Sequence, residues 1–197
     1  VLEDDLITSK YFLRYMNEAL RRYAKADSVM QISGNQHDIS GDHTSAGFLP
    51  FATSWGWGTW KRAWEKFDPL CVGYESFLAD ADACRRFDLD GGASFSTMLR
   101  RQMSGTEKID SWAVRWWWKI FTLNGLTLFP GKSLVMNIGF GEDATHTTGA
   151  QTRRGDFDGN TQIVNFPSSV EVDKALWSQV LQFFNNRKAA GAKKPAG

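Results

Sequence analysis

The sequence predicts an α/β fold whose mixed, partly parallel sheet is flanked by helices. Three stretches predict it. The apolar start Val1-Leu2 runs into the acids Glu3-Asp4-Asp5, an amphipathic stretch follows over 9–26, and Val29-Met30-Gln31-Ile32-Ser33-Gly34 then reads as a short buried strand. Strand, acidic loop, helix and strand in that order form a βαβ unit, which favours parallel pairing.

The chain has 197 residues, enough for one sizeable domain. Hydrophobic residues make up 42% and charged residues 23%, the proportions of a globular protein with a packed core. A formal net charge of +1 argues against a nucleic-acid partner held by broad electrostatic attraction. No apolar run approaches the roughly 18 residues of a membrane span. Cys71 and Cys84 make no disulfide framework, so a reducing compartment is expected. The nine tryptophans are clustered, with four between Trp55 and Trp64 and four between Trp112 and Trp118. The chain starts inside what reads as a buried strand, without an initiator methionine, and is therefore expected to be a fragment of a longer one.

Three adjacent carboxylates repel one another. Glu3-Asp4-Asp5 reads either as a site for a divalent cation with oxygen ligands or as a solvated acidic turn favoured by a helix dipole. The helix over 9–26 carries Phe12, Tyr15, Met16, Ala19, Leu20 and Tyr23 at three- and four-residue spacing, with Thr8 or Ser9 as its cap. The polar stretch 35–47 holds His37, Asp38, Asp42 and His43. It is expected to be a solvated loop, since its histidines lack the spacing of a metal site.

In Ser54-Trp55-Gly56-Trp57-Gly58-Thr59-Trp60, glycines alternating with tryptophans allow close backbone approach beside flat aromatic faces. Trp60 and Trp64 are expected in the core on a helix ended by Asp68-Pro69. For Trp55 and Trp57, in the Gly-rich turn, a sugar-stacking or pocket-wall role and a core role both remain open. A helical stretch follows over 74–90, then the break Gly91-Gly92-Ala93-Ser94 and a second helix over 95–103. Trp112, Trp116 and Ile120 share one face of a further helix, capped by Asp110 or Ser111. Asp110 could act as the cap, as a partly desolvated general base, or as both.

Strands are expected over 126–130 and 133–140, followed by a loop in which His146 lies near Glu142 and Asp143 as a candidate metal-binding nitrogen. Asp156 and Asp158 lack the spacing of a calcium loop. Ser168 or Ser169 is expected to cap a last helix bearing Val172, Leu176, Val180 and Phe184. The tail 188–197 reads as disordered and basic.

Taken together, Val1-Leu2-Glu3-Asp4-Asp5 before a helix, the Trp/Gly segment 54–60, Asp110-Ser111-Trp112, Asn137-Ile138-Gly139 and Thr145-His146 resemble a family. It is that of the GT-A glycosyltransferases, in particular bacterial sugar transferases related to the N-acetylglucosaminyltransferase I family, over about residues 1–150. The acidic triplet resembles the "EDD" form of their DXD motif. The resemblance implies a Rossmann-like GT-A domain of which residues 1–187 are the C-terminal, acceptor-side part, the N-terminal nucleotide-binding units being absent. It implies a metal-dependent, inverting transfer from a nucleotide-diphosphate sugar to a hydroxyl of a glycan or other acceptor, as in polysaccharide biosynthesis, in a fragment that is inactive or weak alone. Asp5 would bind Mn2+ or Mg2+, His146 could complete the coordination, and Glu3 and Asp4 would contact donor hydroxyls. Asp110 would be the base, and Trp55, Trp57 and Trp112 would wall the acceptor pocket. A cytoplasmic enzyme, at most peripheral to the inner membrane, is implied, with self-association covering exposed sheet edges. Two other readings remain: a non-catalytic carbohydrate-binding module with a structural metal, and, more weakly, a phosphoesterase using the same carboxylates.

Overall fold

The computed structural model describes residues 1–105, 111–139 and 157–192. Among these residues, six strands and seven helices are arranged as a mixed α/β fold: β1 (Leu6–Thr8), α1 (Phe12–Arg22), β2 (Val29–Ser33), β3 (Ala46–Leu49), β4 (Trp57–Gly58), α2 (Lys61–Trp64), α3 (Tyr74–Ala79), α4 (Ala81–Phe87), α5 (Phe95–Met103), α6 (Trp112–Thr122), β5 (Leu126–Pro130), β6 (Val135–Asn137) and α7 (Lys174–Ala192).

The main sheet runs β3-β5-β2-β4. β2 and β5 pair in parallel, and both are buried along their whole length, as strands covered on both faces require. β3 and β4 flank this pair in antiparallel fashion. β1 pairs instead with β6, Leu6 opposite Asn137, in a separate two-stranded sheet. The expected first βαβ unit is therefore corrected. The parallel partner of β2 is β5, and the connection runs through the central helices rather than through α1. Val1 and Leu2 are exposed rather than buried, yet Val1 and Trp57 exchange both backbone hydrogen bonds, at 2.7 and 3.1 Å, beside β4. At the opposite edge, Ser45, just before β3, bridges to Asn165, and Phe48 in β3 bridges to Val172. Local chain thus meets both edges of the main sheet.

Two apolar clusters sandwich the sheet. One packs α1 against β2 and β5 through Phe12, Tyr15, Ala19, Ile32 and Leu128. The other packs the helices α4 to α7 against the opposite face through Phe87, Leu99, Trp116, Trp117 and Val180. Several helix boundaries differ from expectation for local reasons. Tyr11, not Thr8 or Ser9, occupies the N-cap of α1; the Ser9 hydroxyl instead accepts from Tyr11 N at 3.2 Å and donates to Thr161 O at 2.6 Å. The stretch 74–90 splits at Asp80, whose carboxylate accepts from Asp82 N and Ala83 N and so begins a new helix. Asp173 rather than Ser168 or Ser169 caps α7, accepting from Leu176 N at 3.0 Å. α7 continues to Ala192, past the expected break at Lys188, whose ammonium donates to Gly91 O. No helix among the described residues is long and apolar enough to cross a membrane.

Candidate functional site

The acidic triplet forms the turn into β1, with Leu6 N donating to Glu3 O. Burial, then the charges of Asp5 and Asp4, pushes the Glu3 carboxyl above its usual range. Asp5 is half-buried, and its Oδ1 is sealed from solvent without a hydrogen-bond partner. No Lys or Arg among the described residues forms an ion pair with any of the three. β6 leads directly past this carboxylate. Ile138 N donates to Asp5 O at 2.8 Å, and a Cβ placed on Gly139 would lie 2.3 Å from Asp5 Oδ2. A side chain at this position would have to displace that carboxylate.

An orphaned, sealed carboxylate oxygen in an acidic cluster without a cationic partner among the described residues suits a divalent cation with oxygen ligands. Among the described residues, however, no three His, Cys, Asp or Glu side chains converge as a metal centre. Asp5 is thus one candidate ligand and not a complete set. His146 and Asp110 lie outside the described residues.

A cavity of about 320 Å³ is walled by the segment 51–55 and the first half of α6. Trp55, Trp112, Trp116, Trp117, Phe51 and Phe95 give its wall aromatic faces, and Asn35, His37, Thr53, Ser54 and Ser111 supply polar groups. Its back is held by β2. The Gln31 amide, fully buried, donates to Thr53 O at 2.6 Å and accepts from Trp116 Nε1 at 2.7 Å. Ser33 Oγ donates to Asn35 O at 2.9 Å and lies 2.8 Å from Thr53 Oγ1. Ser111 takes the N-cap position of α6 without a side-chain capping bond, so its hydroxyl is free of that duty at the cavity wall.

The tryptophans are distributed differently from expectation. Trp55 and Trp112 line the cavity, whereas Trp57 lies in the core, 3% exposed, its ring stacked on Trp112 at 5.2 Å. Trp64, expected in the core, is 39% exposed and stacks flat on Phe67. Trp60 is half-buried under the Arg62 guanidinium, its Nε1 donating to Leu20 O. The reason is that α2 spans a single turn and buries only Ala63, while strand pairing of Trp57 with Ser33 carries the Trp57 ring inward. Trp57 also joins the two halves of the region: its backbone bonds to Val1, next to the acidic stretch, and its ring backs the cavity wall.

His37 was expected in a solvated loop and is instead caged. Its ring stacks on Phe183 at 4.9 Å and on Phe51 at 6.0 Å, with Phe184 edge-on at 4.8 Å. Its Nε2 is sealed without a partner, and burial, aided by the charge of Arg187, lowers its pKa to about 4. Nothing local in the sequence signals this, because two of the three rings come from the far end of the chain. Asp42, in the same stretch, serves the backbone: it accepts from Thr44 and Ser45, which hold its carboxyl down to about 2.

A comparison with protein-family models, with curated proteins and with solved structures finds no match to any of them.

Proposed function

We propose that this chain carries the metal- and acceptor-side part of an inverting GT-A glycosyltransferase, moving a sugar from a nucleotide-diphosphate donor to a hydroxyl of a glycan. The observation that carries the reading is the orphaned Asp5 oxygen beside Glu3 and Asp4, joined through Trp57 to an aromatic-walled cavity. Asp5 would hold Mn2+ or Mg2+, with His146 the further candidate ligand, and the bound cation would offset charge developing on the departing diphosphate.

The chain's own groups do the rest. Glu3 and Asp4, exposed next to Asp5, accept hydrogen bonds from donor hydroxyls. Trp55 and Trp112 offer flat faces to the apolar C–H side of an acceptor ring. Asp110, adjoining Ser111, takes the proton of the acceptor hydroxyl as its oxygen bonds to the anomeric carbon and the bond to the diphosphate breaks. The apolar wall keeps water from competing as nucleophile.

The cavity alone equally supports a non-catalytic sugar-binding module, since stacking needs no base and no diphosphate. Replacing Asp110 with Asn in the protein at its full natural length separates the two. Transfer from a nucleotide sugar to a glycan acceptor should fall by about 10² or more with sugar binding retained. Unchanged transfer would remove Asp110 as base, and absence of transfer by the protein at its full natural length with sugar binding intact would favour the module.

A further inference from the structure

We propose that the turn between α2 and α3 docks this protein onto an anionic lipid bilayer, Leu70 and Val72 entering the acyl chains while neighbouring lysines meet the headgroups. Docking there needs no sugar-transfer chemistry. Among the described residues, Val72 and Leu70 are the most exposed large apolar side chains, at 76% and 70%. The turn holds them out rigidly. Cys71 between them is fully buried in the same core cluster as Trp116 and has a φ of +47°, so its neighbours on either side are turned outward. A left-handed conformation at a residue other than glycine persists only where its surroundings enforce it. Here the Asp68 carboxylate accepts from Leu70 N at 2.9 Å and from Val72 N at 2.8 Å, and Arg115 of α6 donates to Pro69 O at 3.1 Å. A turn fixed in advance loses little further entropy on docking.

The charges around the turn indicate the partner's chemistry. Lys66 is exposed shortly before Leu70. The Val72 amide, then that of Leu70, holds the Asp68 carboxyl below its usual range, and the charge of Lys119 adds to the effect, which places that cation beside the turn. Two acids of the region are engaged: Glu65 pairs with Lys61 at 3.6 Å, and Asp68 serves the turn's own amides. Glu75 in the first turn of α3 stands against Lys66, Arg115 and Lys119, so positive charge prevails. Trp64, 39% exposed and stacked flat on Phe67, adds an indole, a group that settles at the level of lipid headgroups. Apolar side chains flanked by cations suit a surface with a negative face and an apolar interior. Two prongs and one indole fall well short of the roughly 800 Å² a side of a stable protein interface, whereas acyl chains close around any protruding side chain.

The test is co-flotation of the intact chain with vesicles of phosphatidylcholine alone or of equal parts phosphatidylcholine and phosphatidylglycerol. Binding to the anionic vesicles should be at least about fivefold tighter than to the neutral ones and should weaken as salt is raised. Replacing both prongs, Leu70→Asp with Val72→Asp, should weaken it at least about tenfold. Lys66→Glu should weaken it about fivefold or more. Thermal melting establishes that the variants are folded; if the double variant is not, the anionic-to-neutral ratio and Lys66→Glu decide. No binding to anionic vesicles, equal binding to both kinds, or full binding by the folded double variant would each overturn the proposal. So would a dimer in analytical ultracentrifugation that the double variant dissociates while the unaltered chain leaves the vesicles unbound.

Discussion

Lowering the pH should destabilise the protein through His37 in a way that one substitution removes. The imidazole has an ordinary pKa of 6.5 and is held near 4 in the folded chain, because its phenylalanine cage disfavours the charged ring and Arg187 adds repulsion. The folded-state value is the lower one. Below pH 6.5 the unfolded chain therefore binds a proton that the folded chain refuses, and stability falls until the folded pKa is reached. The full displacement corresponds to about 3 kcal/mol, of which about 2.5 kcal/mol would be lost by pH 4.5. Urea unfolding at a series of pH values between 7.5 and 4.5 measures it, with His37→Gln as the reference. Carboxylates such as Asp42 titrate alike in both proteins, so the difference between the two curves isolates the histidine. The unaltered protein should lose more stability across this window than His37→Gln. Parallel curves would refute the neutral histidine and the aromatic cage that explains it.

Two further outcomes follow from the packing. Gln31→Leu leaves the Thr53 carbonyl and the Trp116 indole N–H without partners at the back of the cavity, and should cost about 2–5 kcal/mol in urea unfolding; a loss below about 1 kcal/mol would contradict the hydrogen-bonded wall. Gly131→Ala drives a Cβ to 2.2 Å from Asp42 O and 2.6 Å from Ser45 O, backbone atoms that cannot swing aside, and should cost about 1–3 kcal/mol in the same assay.

Legibility in the sequence followed the range of the interactions. The strand around Gln31, the strand Leu126–Pro130 and the helix bearing Trp112, Trp116 and Ile120 could be read because hydrophobic runs and three-to-four spacing are local signals. The pairing of β1 with β6 could not, since two short strands more than a hundred residues apart carry no local mark of their partner. The same holds for His37, whose cage arrives with α7. The tryptophans misled for a related reason. Spacing alone placed Trp60 and Trp64 in the core; Trp60 does pack half-buried against one apolar cluster, but the helix after it is one turn long and leaves Trp64 39% exposed, while β-pairing turned Trp57 inward. Of the candidate site, the acids and the cavity-lining Trp55 and Trp112 could be singled out by type and neighbourhood. The sealed state of Asp5 Oδ1 and the close passage of Gly139 depend on β6 crossing that carboxylate.

The central claim is that Asp5 belongs to a metal-dependent sugar-transfer site. Calorimetric titration of the chain with Mn2+, beside Asp5→Ala, tests it most directly. The account predicts a saturable binding heat in the unaltered protein that Asp5→Ala abolishes or weakens at least about tenfold. Equal binding by the two proteins would contradict it, as would no binding by either.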